Sequence, residues 1–153
     1  MSEPDAFEGL GAEQVIDRLG LEYLDGEGVW FRLLWRNESG SAIYGLMTPE
    51  YFSALHRLRE DELWVHVAGA PVDMLLLHPD GGSDRLVLGR GPDHRLHALV
   101  PAGTWQGSSP QGEWSLVVCS LAPPFSGLEL ADHSTDLSAW LEHGGRIAEL
   151  MRG

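Results

Sequence analysis

The stretch PAGTWQG, residues 101–107, decides how the rest of the chain is read. It follows a strand-like apolar run, residues 96–100, and Pro101 and Gly103 predict a tight bend at the end of that run. Proline fixes φ at the entry of a turn, and glycine permits the backbone conformations that other residues avoid. Gln106 comes three residues after the glycine. It either holds a surface turn or points into a pocket, and the flanking sequence has to distinguish the two.

Outward from this bend, the chain consists of short apolar runs separated by turn signals. These runs are GVWFRLLW, SAIYGLM, DELWVHVAG, VDMLLL, RLVLG, HRLHALV and WSLVVCSLA. Helical spacing occurs only near the two ends, at about residues 12–20 and about residues 135–151. Short strands at regular intervals are typical of a sandwich or barrel. We therefore predict one all-β domain over residues 1–153, with a barrel at about residues 28–122 and a short helix at each end.

The composition limits the possible partners. The chain has 153 residues, a net charge of −13 and only 10 Lys and Arg, so we expect no nucleic-acid partner, because binding to phosphates needs clustered cations. An anionic membrane surface is disfavoured on the same ground. The first residues do not resemble a signal peptide, which predicts a cytoplasmic protein. The single cysteine, Cys119, lies in an apolar run and is expected to be a buried, inert thiol.

The segment HRLREDELWVHVAG, residues 56–69, carries most of the candidate chemistry. Alternate residues of a strand share a face. One face holds a carboxylate, an indole and an imidazole, namely Glu62, Trp64 and His66. The opposite face is apolar and is expected in the core or at an interface, namely Leu63, Val65 and Val67. A buried carboxylate needs polar partners, so we expect the first face to line a cavity.

The spacing of residues in these two segments is that of the cupin motifs. The first motif is matched by His56, Glu62 and Gly69, with Leu58 in place of its second histidine, and the second by Pro101, Gly103 and Gln106. Over roughly residues 14–152 the chain resembles the cupin-5 family, in stretches such as SAIYGLMTPEYFSALHRL, DELWVHVAG and VPAGTWQG. The resemblance implies a double-stranded β-helix, the cupin jelly-roll barrel. It also implies a homodimer in which strands of one subunit help to cover the other.

The chain departs from the family at one position. Members often have a histidine directly after the tryptophan, whereas here Val65 follows Trp64 and the histidine comes one place later, at His66. A shift of one residue moves the imidazole to the other face of the strand.

The resemblance also implies the site. We expect His56 and Glu62 to form an acid–base pair, and Gln106 to point into the barrel within reach of both. The other expected ligand-binding residues are Trp64, His66 and Trp105, where an indole can stack on a planar ligand or a sugar. If a divalent metal is bound, its ligands are His56, Glu62 and Gln106. One imidazole, a carboxylate and a neutral amide hold Zn or Fe less firmly than a set rich in histidine.

Three kinds of function stay open. The first is binding of a small polar ligand, carbohydrate-like or a keto acid, with metal-independent epimerase or isomerase chemistry by proton transfer. The shape of the sugar-nucleotide 3,5-epimerases, which use no metal, is similar. The second is a binding or sensing module without chemistry. The third is a metal-dependent enzyme of the oxygenase type, although the set of two histidines and a carboxylate is incomplete.

Overall fold

The computed structural model describes residues 5–26 and 28–151. Eleven strands lie between two short helical regions in this part of the chain. The strands are β1 (Glu22–Tyr23), β2 (Trp30–Asn37), β3 (Gly40–Met47), β4 (Ser53–Leu58), β5 (Asp61–Gly69), β6 (Val72–Leu77), β7 (Ser83–Leu88), β8 (His97–Val100), β9 (Trp105–Pro110), β10 (Ser115–Ala122) and β11 (Leu128–Leu130). The helices are α1 (Ala12–Leu19), a 3-10 helix (Ser138–His143) and α2 (Gly144–Glu149).

The strands form two antiparallel sheets that face each other. The first has the order β1-β2-β3-β10-β5-β8, and the second has the order β11-β4-β9-β6-β7. Successive strands alternate between the sheets from β3 to β6 and again from β7 to β11, so strands distant in sequence pair within each sheet, which is the arrangement of a jelly roll. The predicted all-β barrel with short terminal helices is confirmed.

The barrel interior is filled by alternate residues of both sheets. The inner cluster includes Trp64 and Cys119 from the first sheet and Met74 and Leu76 from the second. Cys119 is buried, as its apolar surroundings predicted. Burial of these side chains is the main source of stability, at roughly 1.5–3 kcal/mol for each large one.

The helices cover the outer faces of the sheets. α1 packs Val15 on the first sheet against Leu46 and Leu116, and it ends at Gly20 in the left-handed conformation (φ 65°). At the C-terminus, the helical spacing over about residues 135–151 corresponds to the 3-10 helix followed by α2, which begins at Gly144. The 3-10 helix is kinked at Trp140 (φ −125°), whose ring is buried against the second sheet.

The outer face of β5 is only partly in the core. Val67 packs against the cluster beneath α1, whereas Val65 is half-buried and Leu63 is 36% exposed. The interface alternative stays a prediction.

Among the described residues, no helix is both long and apolar enough to span a bilayer. The cytoplasmic location stays a prediction.

Candidate functional site

Three polar side chains from three strands are buried at one level of the barrel. His56 on β4 and Gln106 on β9 are register partners, and each is only 1% exposed. Glu62 comes from β5 in the facing sheet and is 6% exposed. Burial of a carboxylate, an amide and an imidazole is costly unless hydrogen bonds compensate for it. The hydrogen bonds made by these three side chains therefore have to be identified before the site can be understood.

The indole of Trp64 links two of these groups. Its Nε1–H donates to Glu62 Oε1 at 2.8 Å and to Gln106 Oε1 at 3.1 Å, a three-centre hydrogen bond across the barrel. The amide oxygen of Gln106 accepts from Trp64 because the indole N–H lies between that oxygen and the carboxylate. One donor thus fixes the orientation of both Glu62 and Gln106.

His56 has a defined tautomer. Its Nδ1 lies 2.7 Å from the carbonyl oxygen of Ala54. A carbonyl only accepts, so Nδ1 carries the proton, and in the neutral ring Nε2 is the basic nitrogen. The imidazole is thereby held by its own strand, two residues away. It has the ring orientation and the basic atom that a proton-transfer residue needs.

A cavity of about 220 Å³ reaches Glu62 from the end of the barrel. Leu58, in the position of the second motif histidine, also lines it, whereas His56 and Gln106 do not. Most of its walls are apolar, including Phe31, Leu33, Ile43, Leu58, Leu121 and Phe125. A molecule in this cavity therefore meets the carboxylate of Glu62 directly, and the His56 imidazole lies outside the lining.

Arg36 and Ser41 add polarity to the same cavity, and the sequence did not indicate either. Arg36 Nη1 donates to the Phe125 carbonyl at 2.7 Å, and the Phe125 N–H donates to Ser41 Oγ at 3.1 Å. The register of β2 against β3 shifts between Leu33 and Trp35. This bulge turns Arg36 to the cavity side and Trp35 to the outside, the reverse of what strict alternation predicts.

The expected position of Trp105 in the pocket wall is wrong. Trp105 packs on the outer face of the second sheet with Leu55 and Leu150, beneath the C-terminal helices. The Arg57 guanidinium lies 4.4 Å from its ring centroid. Neighbouring residues on a strand point to opposite faces, so Gln106 and Trp105 cannot both face the barrel interior.

Trp64 and His66 lie on the inner face but away from the cavity. Trp64 is 2% exposed and belongs to the barrel core, so its indole positions Glu62 and does not line the cavity. His66 is four residues from Glu62, or about 13 Å along a strand. Its Nε2 lies 3.0 Å from the Ala70 carbonyl, and its Nδ1 has no partner among the described residues. The structure therefore does not bring His66 to Glu62.

The matching family model is Cupin_5, described as "Cupin superfamily (DUF985)", and it covers residues 13–133. The chain belongs to this family. No curated protein matches it.

Solved structures show the same cupin fold. Protein SO0799 from Shewanella oneidensis is 29% identical, with a TM-score of 0.85 over 94% of this chain and 98% of that one. A hypothetical protein from Leishmania major is 27% identical, with a TM-score of 0.83 over 94% and 100%. KdgF from Halomonas sp. is 15% identical, with a TM-score of 0.55 over 70% and 90%, and is similar in fold alone.

The residues of this cupin do not fit a divalent metal as they stand. Within residues 5–26 and 28–151, no group of three His, Cys, Asp or Glu is arranged to hold a metal ion. Leu58 supplies no donor atom, and the other three side chains are one imidazole, one carboxylate and the neutral amide of Gln106. A neutral amide is a weak ligand, so only two strong protein ligands are present, fewer than the three typical of a catalytic zinc site.

Proposed function

We propose that the barrel binds a small molecule with a hydrocarbon body and an oxygen-rich head, as a keto acid has, in the cavity beside Glu62. The observation that carries this proposal is the buried carboxylate of Glu62 at the wall of a mainly apolar cavity. Mostly apolar walls with a few fixed polar groups are typical of small-molecule sites.

The size and chemistry of the cavity narrow the ligand class. A dry cavity of about 150 Å³ holds a benzene molecule, so about 220 Å³ accommodates roughly ten non-hydrogen atoms. A carbohydrate of that size carries hydroxyl groups all round, and apolar walls would leave them without partners. Between the two expected ligand classes, the walls therefore favour the keto acid.

The exposed cation of Arg36 suits the acidic end of such a ligand. Arg36 lines the cavity together with the buried hydroxyl of Ser41. A guanidinium pairs well with a carboxylate. A ligand carboxylate at Arg36 would place the hydrocarbon body against Leu33 and Ile43 and leave the carbon next to the carbonyl for Glu62.

The chemistry that follows is proton transfer without a metal. Glu62 takes a proton from the carbon next to the ligand carbonyl, the C–H electron pair forms the carbon–carbon double bond, and the carbonyl oxygen takes the negative charge. Return of the proton to either face of that carbon gives exchange or isomerisation. Trp64 holds one Glu62 oxygen at 2.8 Å and so fixes the carboxylate. His56, the register partner of Gln106 on β4, is the second group of the proposed acid–base pair.

A second candidate is a binding module without chemistry. One observation favours it: Glu62 lines the cavity, whereas the His56 imidazole does not. A single carboxylate recognises a ligand hydroxyl without any need for a second proton-transfer group.

The test uses 4-methyl-2-oxopentanoate in D₂O, followed by proton NMR. Saturation transfer reports binding, and loss of the signal from the carbon next to the carbonyl reports proton exchange. We expect the protein to bind the probe and to accelerate exchange, and Glu62→Gln to retain binding but lose the acceleration. Glu60→Gln is the matched control, because Glu60 is equally buried but is bonded to Ser126 at 2.6 Å and does not line the cavity.

The outcomes separate the candidates. Binding without exchange supports the binding module and rules out the enzyme for this class of ligand. No binding of the keto acid, or equal binding of glucose, contradicts the proposed ligand class.

We also propose that two copies pair through the outer face of the six-stranded sheet. This proposal is supported by exposed apolar side chains there: Trp35 is 47% exposed and Leu99 is 57% exposed. Leu99 lies directly opposite Leu63 on the neighbouring strand, so the two extend one apolar surface. Light scattering at micromolar concentration should give twice the chain mass, and Leu99→Glu should lower it to one chain. A single-chain mass for the unmodified protein contradicts the proposal.

A further inference from the structure

A second cavity, of about 730 Å³, lies outside the barrel between α1 and the β3–β4 connection. It shares no lining residue with the Glu62 cavity. One face of α1 borders it, through Ile16 and Asp17 among others, and Trp30 and Tyr51 form part of the opposite side. It is therefore a separate site, and the function proposed for the barrel makes no use of it.

The charge in this cavity has one sign. Its acidic side chains are the carboxylates of Glu13, Asp17 and Glu50, and no Lys, Arg or His among the described residues lines it. Arg32, on the same strand as Trp30, is not part of the lining, and its guanidinium donates to the Leu19 carbonyl at 3.0 Å. The cavity therefore attracts cations and repels anions.

Aromatic rings form a second, independent feature of the wall. Trp30 and Tyr51 lie 5.7 Å apart between ring centroids at an angle of 83°, and Tyr23 packs edge-to-face on both of them. An organic cation is attracted to the face of a tryptophan or tyrosine ring, and tryptophan gives the strongest attraction.

The indole nitrogen of Trp30 supplies the third feature. Trp30 Nε1 is buried and has no acceptor among the described residues. A buried N–H without a partner is uncommon, since nearly all such groups in folded proteins are hydrogen-bonded. Trp30 lines the cavity and is only partly buried as a whole, so a small rotation of its ring would turn this N–H to a ligand oxygen that accepts from it.

From these three features together, we propose that the cavity beside Trp30 binds a small organic ammonium ion that also carries an oxygen acceptor, an amino alcohol being the simplest case. The cationic group lies among Glu13, Asp17 and the aromatic rings, and the oxygen accepts from Trp30 Nε1.

A metal ion is the competing cation, and the structure favours the organic one. No three His, Cys, Asp or Glu among the described residues are close enough together to hold a metal. The three carboxylates are instead spread around a cavity several times larger than an ion. Aromatic walls add attraction for an alkylammonium group, which is weakly hydrated, but contribute little to a strongly hydrated metal ion.

The test titrates choline into the full-length protein and follows the indole N–H signals by ¹⁵N-resolved NMR. Trp30→Phe identifies the Trp30 signal by its loss. We expect choline to move that signal and to bind about tenfold more tightly than 3,3-dimethylbutan-1-ol, its uncharged isostere. Asp17→Asn should weaken choline binding severalfold, whereas Asp25→Asn, the same charge change outside the lining, should leave it unchanged.

The ratio of the affinities for choline and tetramethylammonium separates the contribution of the hydrogen bond from that of the attraction to the ring. Tetramethylammonium has the charge of choline but no oxygen. Choline should therefore bind to the unmodified protein more tightly than tetramethylammonium does, and the two cations should bind to Trp30→Phe with equal affinity. The proposal is overturned if the uncharged alcohol binds as tightly as choline, if choline moves a different indole signal, or if Mg²⁺ displaces choline at equal concentration.

Discussion

The indole nitrogen of Trp64 lies 3.1 Å from the amide oxygen of Gln106, across the two sheets of the barrel. Because the same N–H also reaches Glu62, at 2.8 Å, the amide and the carboxylate share one donor. This bond ties the motif residue of β9 to the carboxylate of β5. The position of Gln106 therefore depends on the opposite sheet as well as on the bend that precedes it.

Gln106→Ala should destabilise the protein by about 1–3 kcal/mol, the usual cost of disturbing a buried hydrogen bond and leaving a void. Glu62 keeps its bond from Trp64, so the variant should still fold. Trp64→Phe removes the donor from both partners, and the double variant should show a coupling of about 0.5–3 kcal/mol. Urea unfolding followed by far-UV circular dichroism measures all three variants.

Gln111→Ala is the control, because Gln111 is an exposed glutamine and the change should stay within about 0.5 kcal/mol. If Gln106→Ala lowers the free energy of unfolding as little as Gln111→Ala does, the shared hydrogen bond does not stabilise the fold.

The inward directions of Glu62 and Gln106 could be predicted because the resemblance to the cupin motifs implies them, whereas alternation along the strand and the Pro–Gly bend alone left the surface reading open. The place of Trp105 could have been predicted too, since it neighbours Gln106 on one strand and must face the other way. The Trp–Gln bond joins residues 42 positions apart in different sheets. No local pattern predicts such a contact.

Arg36 shows a different limit. Strict alternation along β2 directs Trp35 to the cavity and Arg36 to solvent, but the bulge at Leu34 reverses them. A bulge depends on how two strands pair, and neither strand alone signals it. The apolar character of the cavity was missed for the same reason, because its walls come from several strands and a loop.

Gly69→Ala should destabilise the barrel by about 3 kcal/mol or prevent folding, since it combines backbone strain with overpacking. Gly69 has φ +82°, and a Cβ there would lie 2.6 Å from both the ring and the carbonyl oxygen of Trp114. Thermal unfolding of the purified variant is the measurement. Loss of soluble expression at 37 °C but not at 18 °C would report the same defect.

Gly81→Ala separates the two causes. Gly81 also has a positive φ, +92°, but nothing lies within 4 Å of a Cβ there. Strain alone should cost about 1 kcal/mol. Equal effects at the two glycines would contradict a role for contact with Trp114.

Ser134→Ala should raise the pKa of Asp132. The Ser134 hydroxyl, at 2.6 Å, and its backbone N–H, at 2.8 Å, hold that pKa below its ordinary value, and Thr135 contributes less. The folded-state pKa is lowered, so the stabilisation is present above the unfolded pKa of about 3.9 and is lost as pH falls through the folded-state pKa. Ser134→Ala should therefore have a lower free energy of unfolding than the unmodified protein at pH 7, and the two proteins should be equally stable at low pH. Carboxyl ¹³C NMR measures the pKa, and a smaller rise for Thr135→Ala checks the order of the two causes.

Leu58→His should create a divalent-metal site in the barrel. Leu58 and His56 are two residues apart on β4 and share its inner face, so the new imidazole would lie beside His56, Glu62 and Gln106. Two imidazoles and a carboxylate form the three-ligand set that the unmodified chain lacks. Calorimetry with Zn²⁺ should show one site per chain in Leu58→His, and the unmodified protein should bind Zn²⁺ at least tenfold more weakly. Arg57→His is the matched control, because Arg57 lies over Trp105 on the outer face. Equal Zn²⁺ binding by the two variants would show that the inner face of β4 does not direct these side chains to a common point.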